Sequence, residues 1–246
     1  MENIFLPTTI DFGTSDQPNV GTVVVTPCHQ GYGTTMGNAL RRVLLSSLPG
    51  AAVESIKIQG VQHEFSAVEG LQDDMIQIIL NVKQIATKLY AEQPVTLTLS
   101  KKGVGPVTAS DFDKNADVEI ANPDLVITHI TDPKKELEME ITIGHGRGYV
   151  PVSEKDTQNL DLGTIAIDSL YTPIRDVGYK VEATRVGDVT DFEELNLTIE
   201  TDGTITPKEA VAQATKILMD HFGLIARAAG DTDTMSAAPD SGEGAE

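Results

Sequence analysis

The stretch from Gly31 to Pro49, GYGTTMGNALRRVLLSSLP, constrains this chain most, because it joins a glycine-rich entry, an amphipathic helix and a forced stop. Met36, Leu40, Val43, Leu44 and Leu48 recur at helical spacing, so the segment is predicted to be a helix with one apolar stripe to bury. Pro49-Gly50 ends it, since proline cannot continue the helical hydrogen bonding. Arg41 and Arg42 lie about 100° apart around such a helix and must face different surroundings. One can lean along its own protomer while the other points outward. An arginine fork on a rigid helix suits bidentate recognition of a partner's carboxylate, which makes the segment a docking element.

Gly31, Gly33 and Gly37 also form G-x-G-x-x-x-G after a predicted strand, close to a dinucleotide-binding fingerprint, with Glu54 at about the distance of a ribose-binding acid. The third glycine comes one residue late, however, and Glu54 opens the run VESIKI instead of closing it. A tight turn and close strand-helix packing account for the same glycines.

The remaining pattern is mixed. Strands are predicted at Thr8 to Phe12, Gly21 to Pro27 and Ala52 to Gln59, and a second helix over Leu71 to Ile85 with Asp73 and Asp74 in its first turn. From Lys88 to about Val152 short β-rich runs alternate with turn residues, an antiparallel insert: Val95 to Leu99, Gly105 to Ser110, Val118 to Ala121, Leu125 to Ile130 and Leu137 to Ile143. The glycines of GHGRGYVP, residues 144 to 151, suggest a backbone that bends or approaches something closely. Ser153 to Asp161 reads as a surface loop, and strand patterns return at Leu162 to Ile167, Gly178 to Thr184 and Leu195 to Glu200.

Thr206-Pro207-Lys208-Glu209 then supplies a capping box and a proline at the first helical position. Val211, Ala214, Leu218, Phe222 and Ile225 form the stripe of that helix, and Gly230 ends it. Residues 231 to 246 hold five acids, no base and no apolar period, and are expected to be a disordered acidic tail.

With 37 acidic against 18 basic residues the net charge is −19, a field that repels phosphate backbones and favours basic protein partners. The single cysteine, Cys28, makes no internal disulfide, which fits a reducing cytoplasm. No run of 18 apolar residues and no signal-peptide pattern occurs, so neither membrane nor export is expected. The five histidines, His29, His63, His129, His145 and His221, are scattered, and G-x-S-x-G, H-E-x-x-H and P-loop patterns are lacking. Asp111 to Asn122 places acids or amides at positions 1, 3, 5, 7 and 9 of a calcium-loop pattern, but Ala116 stands where glycine is needed and Asn122 where glutamate is. No catalytic, cofactor-binding or metal residue is assigned, and no cofactor is expected.

Two long apolar stripes leave two options: both pack on their own sheet, or they meet across a two-fold axis in a C2 dimer. GYGTTMGNALRRVLLSSLPG, VESIKIQGVQHEFSAVEGLQDDMIQIILNVKQI, GVGPVTASDF, ADVEIANPD, HGRGYVP and DSLYTPIRDVGYKVEATRVGDVTDFEELNLTIETDGTITPKEA closely resemble the amino-terminal domain of the bacterial RNA polymerase alpha subunit. The matches run in order over nearly all of residues 10 to 228.

That resemblance implies an α+β fold in which residues 1–48 and 171–230 form a discontinuous dimerisation subdomain, a sheet plus two long helices, and 49–170 an inserted β-rich subdomain. It implies a homodimer that scaffolds the beta and beta-prime subunits of DNA-dependent RNA polymerase, a non-catalytic part of a nucleotidyltransferase complex. Arg42 and Leu45 match positions of the beta contact, although Leu45 also suits a core. Lys83 matches a beta-prime contact, although it also suits a solvated helix face. The dimer interface is expected to use Met36, Leu40, Val43, Leu44, Val211, Leu218, Phe222 and Ile225. Family members continue into a small carboxyl-terminal domain that contacts DNA, so without it no direct DNA binding is expected. A stand-alone dimeric interaction module and a nucleotide-dependent oxidoreductase are the alternative readings.

Overall fold

The computed structural model describes residues 4–15, 17–156, 160–187 and 189–230. The expected acidic tail, 231–246, and residues 157–159 of the polar loop lie outside the described residues. The fold is mixed α/β, with antiparallel sheets and three α-helices among the described residues.

Thr9–Thr14 (β1) and Val20–Cys28 (β2) pair antiparallel and lead into Tyr32–Ser46 (α1). Pro49–Ile58 (β3) follows at once, so Pro49 both stops the helix and opens a strand, a position where its missing N–H is tolerated. Met75–Val82 (α2) is shorter than the predicted span. Asp74 is its N-cap, accepting from the Gln77 N–H at 2.8 Å, and Asp73 accepts from the Thr128 hydroxyl at 2.9 Å. Both acids therefore precede the helix, and Leu71 instead bridges to Ile130.

Next come Thr87–Leu89 (β4), Val95–Lys102 (β5), Gly105–Thr108 (β6), Val118–Ile120 (β7), Val126–Ile130 (β8), Glu136–Arg147 (β9), Tyr149–Val150 (β10), Thr164–Ala166 (β11) and Ser169–Leu170 (β12). Ile174–Val186 (β13) and Val189–Thr201 (β14) form a long hairpin turned at Gly187, where φ is 60° and a side chain would be strained. Pro207–Ala228 (α3) closes the described chain; its capping box is present, with Thr206 N–H to Glu209 at 2.9 Å and Glu209 N–H to Thr206 Oγ1 at 3.2 Å.

One sheet has the order β1-β2-β14-β13, and the largest other sheet runs β5-β9-β3-β4-β7 with β11 also on β3. Each has its own hydrophobic cluster. Ile56, Ile58, Met75, Ile78, Leu99, Ile127, Leu137 and Ile141 belong to the β3–β9 side. Val23, Leu44, Leu48, Val177, Leu197, Ile199, Ala210, Val211 and Ala214 belong to the side on which α1 and α3 pack. No helix of the described residues is long and apolar enough to cross a membrane.

Candidate docking surface

The setting of α1 on its sheet decides what its two arginines can do. Gly33 and Gly37 are buried against the hairpin: a Cβ on Gly33 would lie 2.9 Å from Val181 Cγ1, and one on Gly37 would lie 2.7 Å from the Tyr179 ring and 2.9 Å from Leu195. One further turn along, Arg41 Nε donates to the Val177 carbonyl at 2.9 Å. Three helical positions four apart thus meet three β13 residues two apart. The match is physical, because four helical residues rise about 6 Å and two strand residues about 6.6 Å.

With Arg41 turned onto β13, Arg42 points elsewhere. Its side chain is exposed and makes no hydrogen bond or ion pair among the described residues. The backbone carbonyl of Arg42 accepts from the Ser46 hydroxyl at 2.8 Å, inside the helix. Leu45 is half-buried and packs on the cluster beneath α1.

The glycine entry to α1 does cradle an anion, and it is the chain's own. Gly31 N–H donates to Glu193 Oε1 and Gly33 N–H to Glu193 Oε2, both at 2.9 Å. Gly31 takes φ 85° as the N-cap, and no acid lies in the first turn, so Glu193 on β14 supplies the negative charge that this helix end favours. The fingerprint-like glycines are therefore a seat for a carboxylate from 160 residues away, and the nucleotide reading is set aside. Glu54, weighed as a ribose-binding acid, is likewise engaged, accepting from the Tyr171 hydroxyl at 2.6 Å.

The residues expected at a dimer interface divide. Leu44 and Val211 are buried in the protomer's own cluster, at 0% and 8% exposure. Met36, Leu40, Val43 and Leu218 are half-buried. Phe222 and Ile225 are 60% and 64% exposed, joined by Met219 at 66% and Leu224 at 59%. At about 100° per residue, the apolar side chains of residues 217 to 226 cover roughly 220° of the helix circumference. The first half of α3 rests on its own sheet through Ala210, Val211 and Ala214, while the second half is apolar and uncovered.

Lys83 is not a solvated helix residue. As the C-cap of α2 it pairs with Asp168 Oδ2 at 3.0 Å, while the other Asp168 oxygen accepts the Val152 N–H at 2.9 Å. The Val152 N–H first and Lys83 second hold the Asp168 carboxyl below the usual carboxylate range. This pair borders a groove of about 400 Å³ lined by Phe65, Ile76, Ile79, Leu80 and Ile167. Phe65, Ile76 and Leu80 are exposed.

The glycines at 144 and 146 make room for neighbours. A Cβ on Gly146 would lie 2.5 to 2.6 Å from the Tyr171 ring, and one on Gly144 would strike the Glu54 carboxylate. Lys155 Nζ donates to the Ile167 carbonyl at 2.6 Å and sits near Ser169 Oγ, and burial pulls its pKa down. In the calcium-like stretch, Asp113 accepts from the Thr98 hydroxyl at 2.6 Å and Asp111 pairs with Lys101, so these acids brace β5 and the turn after β6.

Sequence reasoning missed Glu193, Asp168 and Tyr171. None carries a local signal, since each acts across a long chain separation. Met219 and Leu224 were within reach, because plotting α3 around its axis shows the stripe widening after Ile217.

The described residues thus present an outward arginine, an uncovered apolar helix end and an ion pair beside an apolar groove, the kinds of surface through which proteins bind one another. Residues 56–172 match the family described as the RNA polymerase Rpb3/RpoA insert domain. Over 213 residues the chain is 47% identical to a protein of Alkaliphilus metalliredigens named DNA-directed RNA polymerase subunit alpha, covering 87% of this chain and 67% of that protein. A Clostridium kluyveri protein of the same name is 48% identical over 211 residues, covering 86% of this chain and 67% of its own length. The chain belongs to the family of DNA-directed RNA polymerase alpha subunits.

Proposed function

We propose that this chain homodimerises and that the dimer scaffolds the beta and beta-prime subunits of RNA polymerase in the cytoplasm, with no active site of its own. The observation that carries the dimer is the second half of α3, whose Leu218, Met219, Phe222, Leu224 and Ile225 leave an apolar surface that a monomer has no reason to keep in water. In this reading a second copy covers it, with Met36, Leu40 and Val43 of α1 at the margin. The organisation proposed is a dimerisation subdomain, 1–48 and 171–230, and an insert, 49–170. The two hydrophobic clusters support it, since their members fall on either side of those boundaries.

Arg42, with Leu45 beside it, is proposed to contact beta. The free guanidinium on a seated helix is ready for a carboxylate without first breaking an internal bond. Lys83 is proposed to serve beta-prime together with the groove at Phe65, Ile76 and Leu80, where its pair with Asp168 forms a charged rim to an apolar floor. The dimer has two copies of each surface, so beta and beta-prime take different protomers.

Sedimentation velocity tests the dimer. Phe222→Glu combined with Ile225→Glu should weaken self-association roughly a thousandfold or more, since four buried apolar side chains are lost per dimer. Both sites are exposed in the protomer, so its thermal unfolding should remain cooperative. A variant that stays dimeric at micromolar concentration would place the interface elsewhere.

A further inference from the structure

The seat of α1 is smooth where it is closest. Gly33 and Gly37 let the amino-terminal half of the helix approach Val181, Tyr179 and Leu195 closely but add no interlocking side chains of their own, whereas the other half is anchored by the buried Leu44 with Leu40, Val43 and Leu45 around it. Directional bonds hold the helix at two places only among the described residues: the Arg41 Nε bond to the Val177 carbonyl, and the paired bonds from Gly31 and Gly33 to Glu193. The second is the stronger kind, a carboxylate taking two N–H groups at the positive end of a helix. Glu193 itself is paired on both sides, with Cys28 on β2 and Ala183 on β13, and the β14–β2 register slips just after it, between Glu193 and Leu195.

We propose that Glu193 is the positioning residue for Arg42: it locks the rotation of α1 so that the guanidinium is presented to a carboxylate of the beta subunit in one orientation. This rests on the reading of Arg42 given above. Arg42 lies eleven residues from Gly31, about 16 Å along the axis, so Glu193 never touches the partner. Its effect is angular. A rotation of about 20° moves a group about 6 Å from the axis by roughly 2 Å, enough to break a bidentate pair.

The test measures affinity of the alpha dimer for the beta subunit of the same organism, with Glu193→Ala, Glu193→Gln, Arg42→Ala and the Glu193→Ala/Arg42→Ala double variant. Glu193→Ala should weaken beta binding about tenfold or more in the wild-type background and change it less than twofold when Arg42 is already alanine. Equal losses in both backgrounds would overturn the proposal. Glu193→Gln keeps one acceptor oxygen and should fall between wild type and alanine, so the series stays informative if the alanine variant folds poorly.

Amide hydrogen exchange separates this proposal from the reading beneath it. Glu193→Ala should speed exchange at residues 31 to 36 at least tenfold; unchanged protection would overturn the latch whatever happens to beta binding. If instead Arg42→Ala alone leaves beta binding unchanged while exchange accelerates as expected, the assignment of Arg42 fails and the proposed purpose of the latch fails with it.

Discussion

The hydroxyl of Tyr171 donates to Glu54 Oε1 at 2.6 Å, tying the segment that enters β13 to the first strand of the β3–β9 sheet. The ring lies over Gly146, and the Tyr171 backbone N–H donates to the Gly148 carbonyl at 2.8 Å, so one residue ties these segments together through both its side chain and its backbone.

Removing that hydroxyl should cost stability. Tyr171→Phe leaves Glu54 without its donor and is expected to lower the unfolding free energy by about 1–2 kcal/mol at neutral pH, measured by urea denaturation. Burial first, and Glu54 second, push the Tyr171 phenol well above its ordinary value. A raised folded-state pKa means that the folded protein prefers the neutral phenol. The contribution is therefore whole below the unfolded tyrosine value near 10 and declines as pH rises beyond it. Stability curves from pH 9 upward should fall less steeply for Tyr171→Phe than for wild type; parallel curves would contradict the assignment.

The glycine under the ring should resist substitution. Gly146→Ala drives a methyl to within 2.5–2.6 Å of ring carbons that the Glu54 bond holds in place, and is expected to cost about 1–3 kcal/mol. Gly178, also in a strand, has open space where its Cβ would go, so Gly178→Ala should be neutral or mildly stabilising. Melting temperatures of the two variants compared side by side check the contrast.

Asp168 gives an acid-side prediction. Its carboxyl is held below the usual range, so its stabilisation is present above the unfolded aspartate value near 4 and is lost as pH falls through the lower folded value. Asp168→Asn should destabilise at pH 7 by less than about 1 kcal/mol, because the pair with Lys83 is partly exposed. It should also flatten the loss of melting temperature between pH 5 and 2. An unchanged acid limb would show that this carboxylate titrates alike in both states.

The parts legible in the sequence were those governed by neighbours along the chain. The Thr206 to Glu209 box begins α3, the apolar period of Met36 to Leu44 marks α1, and the five strand runs predicted between Val95 and Ile143 appear within a few residues of their places. The adjacency of Arg41 and Arg42 was enough to predict that they part company. Periodicity could not say which apolar residues the protomer keeps for itself: Leu44 and Phe222 sit on equally regular stripes, yet one is wholly buried and the other exposed. Partners distant in sequence were equally hidden, as with Glu193 at the glycine entry and Asp168 on Lys83. The α2 boundary failed for a local reason, because Asp74 caps from outside the helix instead of enriching its first turn.

Native mass spectrometry of this chain co-expressed with the beta subunit of the same organism reads out the proposed recruitment of beta by the dimer through Arg42. The expected species is a complex of two copies of this chain with one beta, and only the free dimer when Arg42→Ala replaces wild type. A one-to-one complex, or an Arg42→Ala dimer that retains beta in full, would contradict that recruitment.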